Sequence, residues 1–328
     1  MYKLFRNASI MVASLFALSA NAAPMAFSVN SDSGNPEMED SLYLIDLATG
    51  TGQRRGALAS GIVGDIRRDT EGLAFAADGT LWGVDDNSRT LFPINTNSGT
   101  ISLAREVQLP GFSAGGGNDF GMTFSCDNSL YITSVATRTL YQVDMNGTIH
   151  AMGSKGALGA NISAIAAIGN PTRLYGLGNG QFQDGQTDSP NLYSISPETG
   201  VATLIGPLGN AIGEYNQGGL AFDETGNLWA ITDRRIINNS IEDLPSQILS
   251  IDIETGEATV VSDTSKIDQS GEVGFESPAI GPPSLCEVLA AEIEPPTESI
   301  PTLNITGRAL AILLLMLAGT AILRRRNV

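Results

Sequence analysis

The side chains of this chain that could do chemistry are almost all oxygen donors. Aspartate and glutamate number 35 against 18 lysines and arginines, whereas there are one histidine, His150, and two cysteines, Cys126 and Cys286. This composition excludes a His-rich or Cys-rich zinc site, because such sites need three or four nitrogen or sulfur ligands from the protein. A Ser-His-Asp triad would depend on His150 alone. We therefore expect chemistry based on carboxylates, amides and hydroxyls.

A set of carboxylates and amides stands just before short apolar segments that recur along the chain. Its members are Glu71, Asn118, Asp119, Asn161, Glu214, Asn216 and Glu272, with Asp69 beside Glu71. A hard cation such as Ca²⁺ takes about six to eight oxygen ligands of these types. The set predicts a metal site with Ca²⁺ as cofactor if the fold gathers its members. The alternative is that they only solvate the protein surface.

The charge balance restricts the partners. The formal net charge is −17 and the isoelectric point is about 4.3. Nucleic acid is excluded as a partner, because its phosphates need a positively charged face. Another acidic group, Asp85 and Asp86 followed by Asn87, ends a strand-like segment, and we interpret it as a solvated loop.

The elements that must position these groups repeat along the sequence. Five similar strand segments follow one another at intervals of 49, 49, 52 and 56 residues, beginning at Leu42, Leu91, Leu140, Leu192 and Ile248. Each runs into a turn with a glycine, which supplies the positive φ that a tight hairpin needs. A second hairpin precedes four of the segments, so that each full repeat has four strands.

A period near 50 residues with four strands per repeat is typical of the blades of a β-propeller. The alternative, a parallel β-helix, has a much shorter repeat. The first repeat lacks its innermost strand, and a matching segment occurs at the other end of the body, in residues 273–280. We therefore predict an all-β, five-bladed β-propeller over residues 23–286, whose first blade is completed by the last strand.

On a propeller, the carboxylates and amides would lie on the loops that enter the innermost strands, around the mouth of the central channel. There they resemble the site of metal-dependent lactonase and gluconolactonase propellers, which hold one metal with a Glu, Asn and Asp set. That resemblance, and the glycosidases among five-bladed propellers, imply a hydrolase. Our principal expectation is instead a non-catalytic binding or scaffold role, with extracellular polysaccharide or surface proteins as partners. The hydrolase is the alternative.

The two cysteines can be placed on this frame. Cys126 follows the innermost strand of the third blade, and Cys286 follows that of the closing blade, so both should lie on one face. Outside the cytoplasm an even pair is more often bridged than free. We expect a disulfide that pins the closure, which requires residues 281–283 to cross that face.

The N-terminal end predicts export. Residues 1–22 combine a basic start, an apolar run and an ending of small residues, which is typical of a secretory signal peptide read by the export machinery. The alternative is a buried N-terminal helix.

The C-terminal end predicts a membrane anchor. An acidic linker, residues 287–299, leads to residues 300–328, where Ile300, Pro301, Thr302 and Leu303 precede an apolar stretch that ends at Arg324, Arg325 and Arg326. The stretch is long enough for a single transmembrane helix, and the arginines place the body outside the cytoplasm.

This arrangement resembles the IPTL-CTERM protein-sorting signal, a relative of the PEP-CTERM signals. Gly307 falls where that family has a glycine. The resemblance implies processing by an exosortase-like protease, with the protein in the cell envelope or released to the cell surface. A plain C-terminal anchor is the alternative.

Overall fold

Short runs of β-branched and aromatic residues, separated by glycine-containing turns, make this chain a series of antiparallel strands. The computed structural model describes residues 23–31, 40–60, 69–113, 118–180, 190–267 and 273–287. The predicted signal peptide and sorting signal lie outside the described residues. Within those ranges, no helix is long and apolar enough to cross a membrane.

The strands form five antiparallel sheets of four. The first blade has β1 (Met25–Val29), β2 (Ser41–Asp46) and β3 (Gly52–Ala57), and the second has β4 (Thr70–Phe75), β5 (Leu81–Asp85), β6 (Thr90–Ile94) and β7 (Val107–Gln108). The third has β8 (Phe120–Phe124), β9 (Leu130–Ser134), β10 (Thr139–Val143) and β11 (Ile149–Met152), and the fourth has β12 (Ile162–Ile168), β13 (Arg173–Gly178), β14 (Asn191–Ile195) and β15 (Ala202–Pro207).

The fifth blade has β16 (Gly218–Phe222), β17 (Leu228–Thr232), β20 (Gln247–Ile251) and β21 (Ala258–Asp263). A separate hairpin, β18 (Arg235–Ile237) and β19 (Ser240–Glu242), lies between β17 and β20, and short 3₁₀ helices cover Leu103–Arg105 and Thr264–Lys266. The last strand, β22 (Glu276–Ala279), pairs with β1 and completes the first blade. The predicted five-bladed propeller and its closing strand are confirmed.

The innermost strands β4, β8, β12, β16 and β22 contact one another in a ring around the channel. Between the blades lie apolar clusters, and Trp82 and Trp229 are buried in two of them, at equivalent positions of their repeats. These side chains stabilise the contacts between neighbouring blades, because large buried aromatic surfaces contribute most to such packing.

The two ends of the channel differ. At one end, the turns that join the first and second strands of blades 2 to 5 have four or five residues. At the other end, called the mouth here, lie the strand ends that flank residues 30–40, 58–69, 109–119, 179–190, 233–246 and 264–275, each a stretch of 11 to 14 residues. Long connections on a rigid scaffold are where binding residues concentrate.

The end opposite the mouth is closed by the chain itself. Pro282, Pro283 and Ser284 line a cavity of only about 40 Å³ inside the channel, and the Ser284 carbonyl accepts a hydrogen bond from the Gly169 amide at 3.1 Å. Cys286 then forms a disulfide with Cys126, with 5.2 Å between their Cα atoms. The predicted disulfide is confirmed, and within the described part of the chain residues 282–284 line the channel at this end.

Closure of the ring predicts a strong effect of one glycine. A Cβ added to Gly219 on β16 would lie 2.1 Å from the Ser277 Cα on β22. The backbones of both residues are held in strands, so neither can easily move away. We expect Gly219→Ala to lower the free energy of unfolding by about 3 kcal/mol or more in urea denaturation. Gly281→Ala is the control, because no atom lies within 4 Å of its added Cβ. Equal effects of the two substitutions would contradict the close contact of β16 with β22.

Candidate metal site at the channel mouth

Three carboxylates of the second blade converge at the mouth. Because β4 and β5 are antiparallel, with Thr70 opposite Asp85, residues 69–71 and 85–86 lie at the same end of the hairpin. Glu71 is the extra residue of a β-bulge in β4, a device that redirects a side chain from its regular position. One carboxylate oxygen from each of Asp69, Glu71 and Asp86 lies within 4.8 Å of the other two.

The two neighbouring aspartates at the end of β5 have different environments. Both carboxylate oxygens of Asp85 have hydrogen-bond partners. Its Oδ1 accepts from the amide and the hydroxyl of Ser88 at 2.7 and 2.6 Å, and its Oδ2 accepts from the Asp69 amide at 3.1 Å. Asp86 is only 4% exposed, and its Oδ1 has no hydrogen-bond partner. The interpretation of this segment as a solvated loop is therefore wrong, because pairing with β4 buries both aspartates.

The pKa of Asp86 is raised to about 8, first by burial, then by a hydrogen bond between the Asp86 and Asp69 carboxyl groups and by the negative charges of Asp69, Asp119 and Asp85. In the described ranges, no lysine or arginine forms an ion pair with Asp69 or Asp86. A carboxyl with this environment is stabilised either by a proton or by a bound cation.

A glutamine from the opposite side of the channel joins this group to the third blade. The Nε2 of Gln217 donates to Glu71 Oε1 at 3.3 Å and to Asp119 Oδ1 at 3.1 Å. Asp119 has a φ of 37°, which a residue with a side chain rarely adopts and which is found preferentially at functional sites. Carboxylates from two blades and an amide from a third thus meet at the mouth.

The other members of the predicted set lie around this group. Asn118 is buried and donates to the Ser113 carbonyl, and Asn161 is buried at the start of β12 with its Oδ1 lacking a hydrogen-bond partner. Asn216 donates to Asp233, and the Glu214 carbonyl binds the separate hairpin at Ile236. Glu272 lies outside the described residues. The structure thus brings Glu71 and Asp119 together, and metal binding by the full set stays a prediction.

Sequence reasoning missed Asp86 and Gln217, although signals for both were present. Gln217 stands two residues before Gly219, as Asp119 stands two residues before Gly121, so the two occupy the same position of the repeat. Asp86 follows the second strand of its hairpin, and the end of that strand must lie beside the start of the first.

The geometry of the three carboxylates suits a hard cation. The central point of any three oxygens that lie within 4.8 Å of one another is at most about 2.8 Å from each, close to the roughly 2.3–2.6 Å of Ca²⁺–oxygen bonds. Ca²⁺ accepts irregular oxygen geometry, whereas Mg²⁺ requires bonds of about 2.0–2.1 Å in near-ideal octahedral geometry. The three oxygens therefore suit a hard divalent cation such as Ca²⁺.

No protein-family model matches the sequence, and no curated protein matches it. Among solved structures, a structural genomics protein of unknown function from Bacteroides thetaiotaomicron is 13% identical; the match covers 58% of this chain and half of that one, with a TM-score of 0.40.

Two further structures are each 17% identical to this chain. Virginiamycin B lyase from Staphylococcus aureus matches over 73% of this chain and 70% of its own, with a TM-score of 0.38. Regucalcin, a calcium-binding protein from Agrobacterium tumefaciens, matches over 80% and 81%, with a TM-score of 0.39. At these TM-scores the likenesses carry no argument, and the fold follows from the strand pairing of this chain.

The raised pKa of Asp86 predicts an unusual dependence of stability on pH. Between about pH 4 and pH 8 the folded protein keeps a proton on Asp86 that the unfolded chain releases, so the free energy of unfolding falls as the pH rises. Asp86→Asn removes this loss. In urea denaturation with a chelator present, we expect the variant to gain stability over the wild type from pH 5 to pH 8. The gain is at most about 1.4 kcal/mol per pH unit, which is the limit for one proton, and screening by solvent lowers it. A difference that is constant with pH would contradict the assignment.

Proposed function

We propose that this protein is an exported cell-surface propeller that binds a divalent cation, Ca²⁺ before Mg²⁺, at the mouth of its channel, and that it acts as a binding module. The observation that carries the proposal is the convergence of Asp69, Glu71 and Asp86 with a buried, unpartnered oxygen on Asp86. Buried charges in proteins are normally paired or coordinated to metal. A cation at this place would satisfy that requirement for Asp86, and it would also attract the buried Glu71 and the half-buried Asp69.

The shape of the channel supports binding at the mouth. The opposite end is filled by residues 281–284 and fixed by the disulfide. The carboxylates lie at the other end of the channel, on the side of the long connections, where binding residues concentrate. This arrangement suits a module that presents a cation to a larger partner, for which we propose extracellular polysaccharide or a surface protein.

A location outside the cytoplasm is supported by the disulfide, because bridged cysteines persist in oxidising compartments. The negative net charge would keep such a protein soluble and separate from anionic surfaces. We propose export through the predicted signal peptide, and envelope anchoring and processing through the IPTL-CTERM-like end.

The alternative function is a metal-dependent hydrolase at the same site. Asp119, held beside Glu71 by Gln217, would then be the carboxylate placed to accept a proton from water. Turnover of lactones or glycosides that is lost on chelation would establish this alternative.

Cation binding is tested by calorimetric titration of the full-length protein with CaCl₂ and MgCl₂ near pH 7.5. We expect one saturable Ca²⁺ site, weaker binding of Mg²⁺, and a loss of Ca²⁺ affinity of tenfold or more in Asp86→Asn and Asp69→Asn, because each removes a ligand charge. Asp78→Asn is the matched control: it removes the same charge from an exposed turn at the opposite end of the channel. Absence of saturable heat, or wild-type affinity in Asp86→Asn, would sink the proposal.

Export is tested by producing the chain with its own ends in a Gram-negative host. We expect the mature protein to begin at Ala23 by intact-mass analysis, and protease added to whole spheroplasts to digest the body. Retention of residues 1–22 and full protection from protease would show that the body stays inside the cytoplasm.

A further inference from the structure

The amide of Gln217 bridges Glu71 and Asp119 at the mouth. Its Nε2 lies 3.3 Å from one carboxylate and 3.1 Å from the other. An amide group that donates to two carboxylates at once lies beside both of them. Gln217 therefore marks a point that carboxylates of blades 2 and 3 already share.

The backbone of Gln217 is fixed on both sides. Its carbonyl accepts from the Asp233 amide at 2.9 Å, and the preceding Asn216 amide donates to the Arg234 carbonyl at 2.9 Å. The next residues begin β16, where Gly219 packs against the backbone of the closing strand. The side chain is 8% exposed. Gln217 therefore stays at the mouth whichever way its terminal amide is turned.

The glutamine amide carries an oxygen as well as a nitrogen. Rotation by about 180° about the last side-chain bond exchanges Nε2 and Oε1 with little change in shape, because the two atoms are nearly equal in size. Amide carbonyls are ordinary ligands of Ca²⁺. The same side chain can thus donate to the two carboxylates or coordinate a cation that they bind.

The carboxylates of the second blade leave room for such a ligand. Three monodentate carboxylates supply three oxygens, whereas Ca²⁺ takes about six to eight. The buried, unpartnered Oδ1 of Asp86 points to a ligand at this cluster independently of the acidic composition. Gln217 and Asp119 are the next residues that could supply oxygen ligands. Gln217 contacts Glu71 directly, and Asp119 is joined to Glu71 through the Gln217 amide.

We propose that the side-chain oxygen of Gln217 is a ligand of the channel-mouth cation, and that the cation, with Asp119, links blades 2, 3 and 5 across the channel. This inference rests on the proposed cation site and adds a ligand from the opposite wall. The cation then does more than neutralise the carboxylates of the second blade, because it connects strands that are far apart in the sequence.

The test compares two substitutions of Gln217 in the full-length protein. Gln217→Leu removes both the oxygen and the N–H donor, whereas Gln217→Glu removes the donor and keeps an oxygen. We expect Ca²⁺ affinity to fall tenfold or more in Gln217→Leu and to equal or exceed the wild-type value in Gln217→Glu. Gln142→Leu is the matched control. Gln142 lies away from the mouth, and its Nε2 donates to Ser129 Oγ at a distance of 3.1 Å.

If Gln217 only positions the two carboxylates through its N–H group, both substitutions will weaken binding alike, and the proposal is overturned. Unchanged affinity in Gln217→Leu overturns it as well. Absence of Ca²⁺ binding by the wild type is a different result, since it rejects the site itself.

A second measurement does not depend on the glutamate variant. Eu³⁺ replaces Ca²⁺ at oxygen-rich sites, and its luminescence lifetimes in H₂O and D₂O count the water molecules bound to the ion. We expect Gln217→Leu to bind Eu³⁺ with one more water than the wild type, because water takes the place of the lost oxygen. An unchanged count would show that Gln217 is not a ligand.

Discussion

The structure depends on closure of the ring by its last strand. Each blade has its four strands in sequence except the first, whose innermost strand is β22, from the other end of the domain. Before β22 pairs with β1, blade 1 has an open edge and the ring has a gap between β16 and β4. Closure thus sets the position of all five innermost strands, and the chain uses close backbone contacts to secure it.

Closure and the mouth site share the same residues. Ser277 on β22 donates from its hydroxyl to the Glu71 carbonyl, at the bulge that redirects the Glu71 side chain. On its other side, Ser277 packs against Gly219, two residues after Gln217. The strand that closes the ring therefore lies between the two blades that supply Glu71 and Gln217. A change that displaces β22 should displace both walls of the site.

Much of this architecture could be predicted from the sequence because it repeats. The spacing from Leu42 to Ile248 and the missing first strand predicted the blade number and the closure, and the position of Cys126 and Cys286 predicted the disulfide. Asp86 was assigned to a solvated loop because acidic residues at strand ends usually are solvated. Its burial results from a contact between strands, which local composition does not show.

The carboxylates at the mouth are more than a solvated rim. Burying Asp86 among Asp69, Asp85 and Asp119 costs stability at neutral pH, as its raised pKa records. At the opposite end the chain fills the channel with proline and serine and carries no comparable cluster in its described residues. A cost of this kind at one end of the channel is what a binding site requires, because the same desolvation that destabilises the carboxylates alone strengthens their attraction for a cation. The acidic mouth is thus a part of the fold whose stability depends on what it binds.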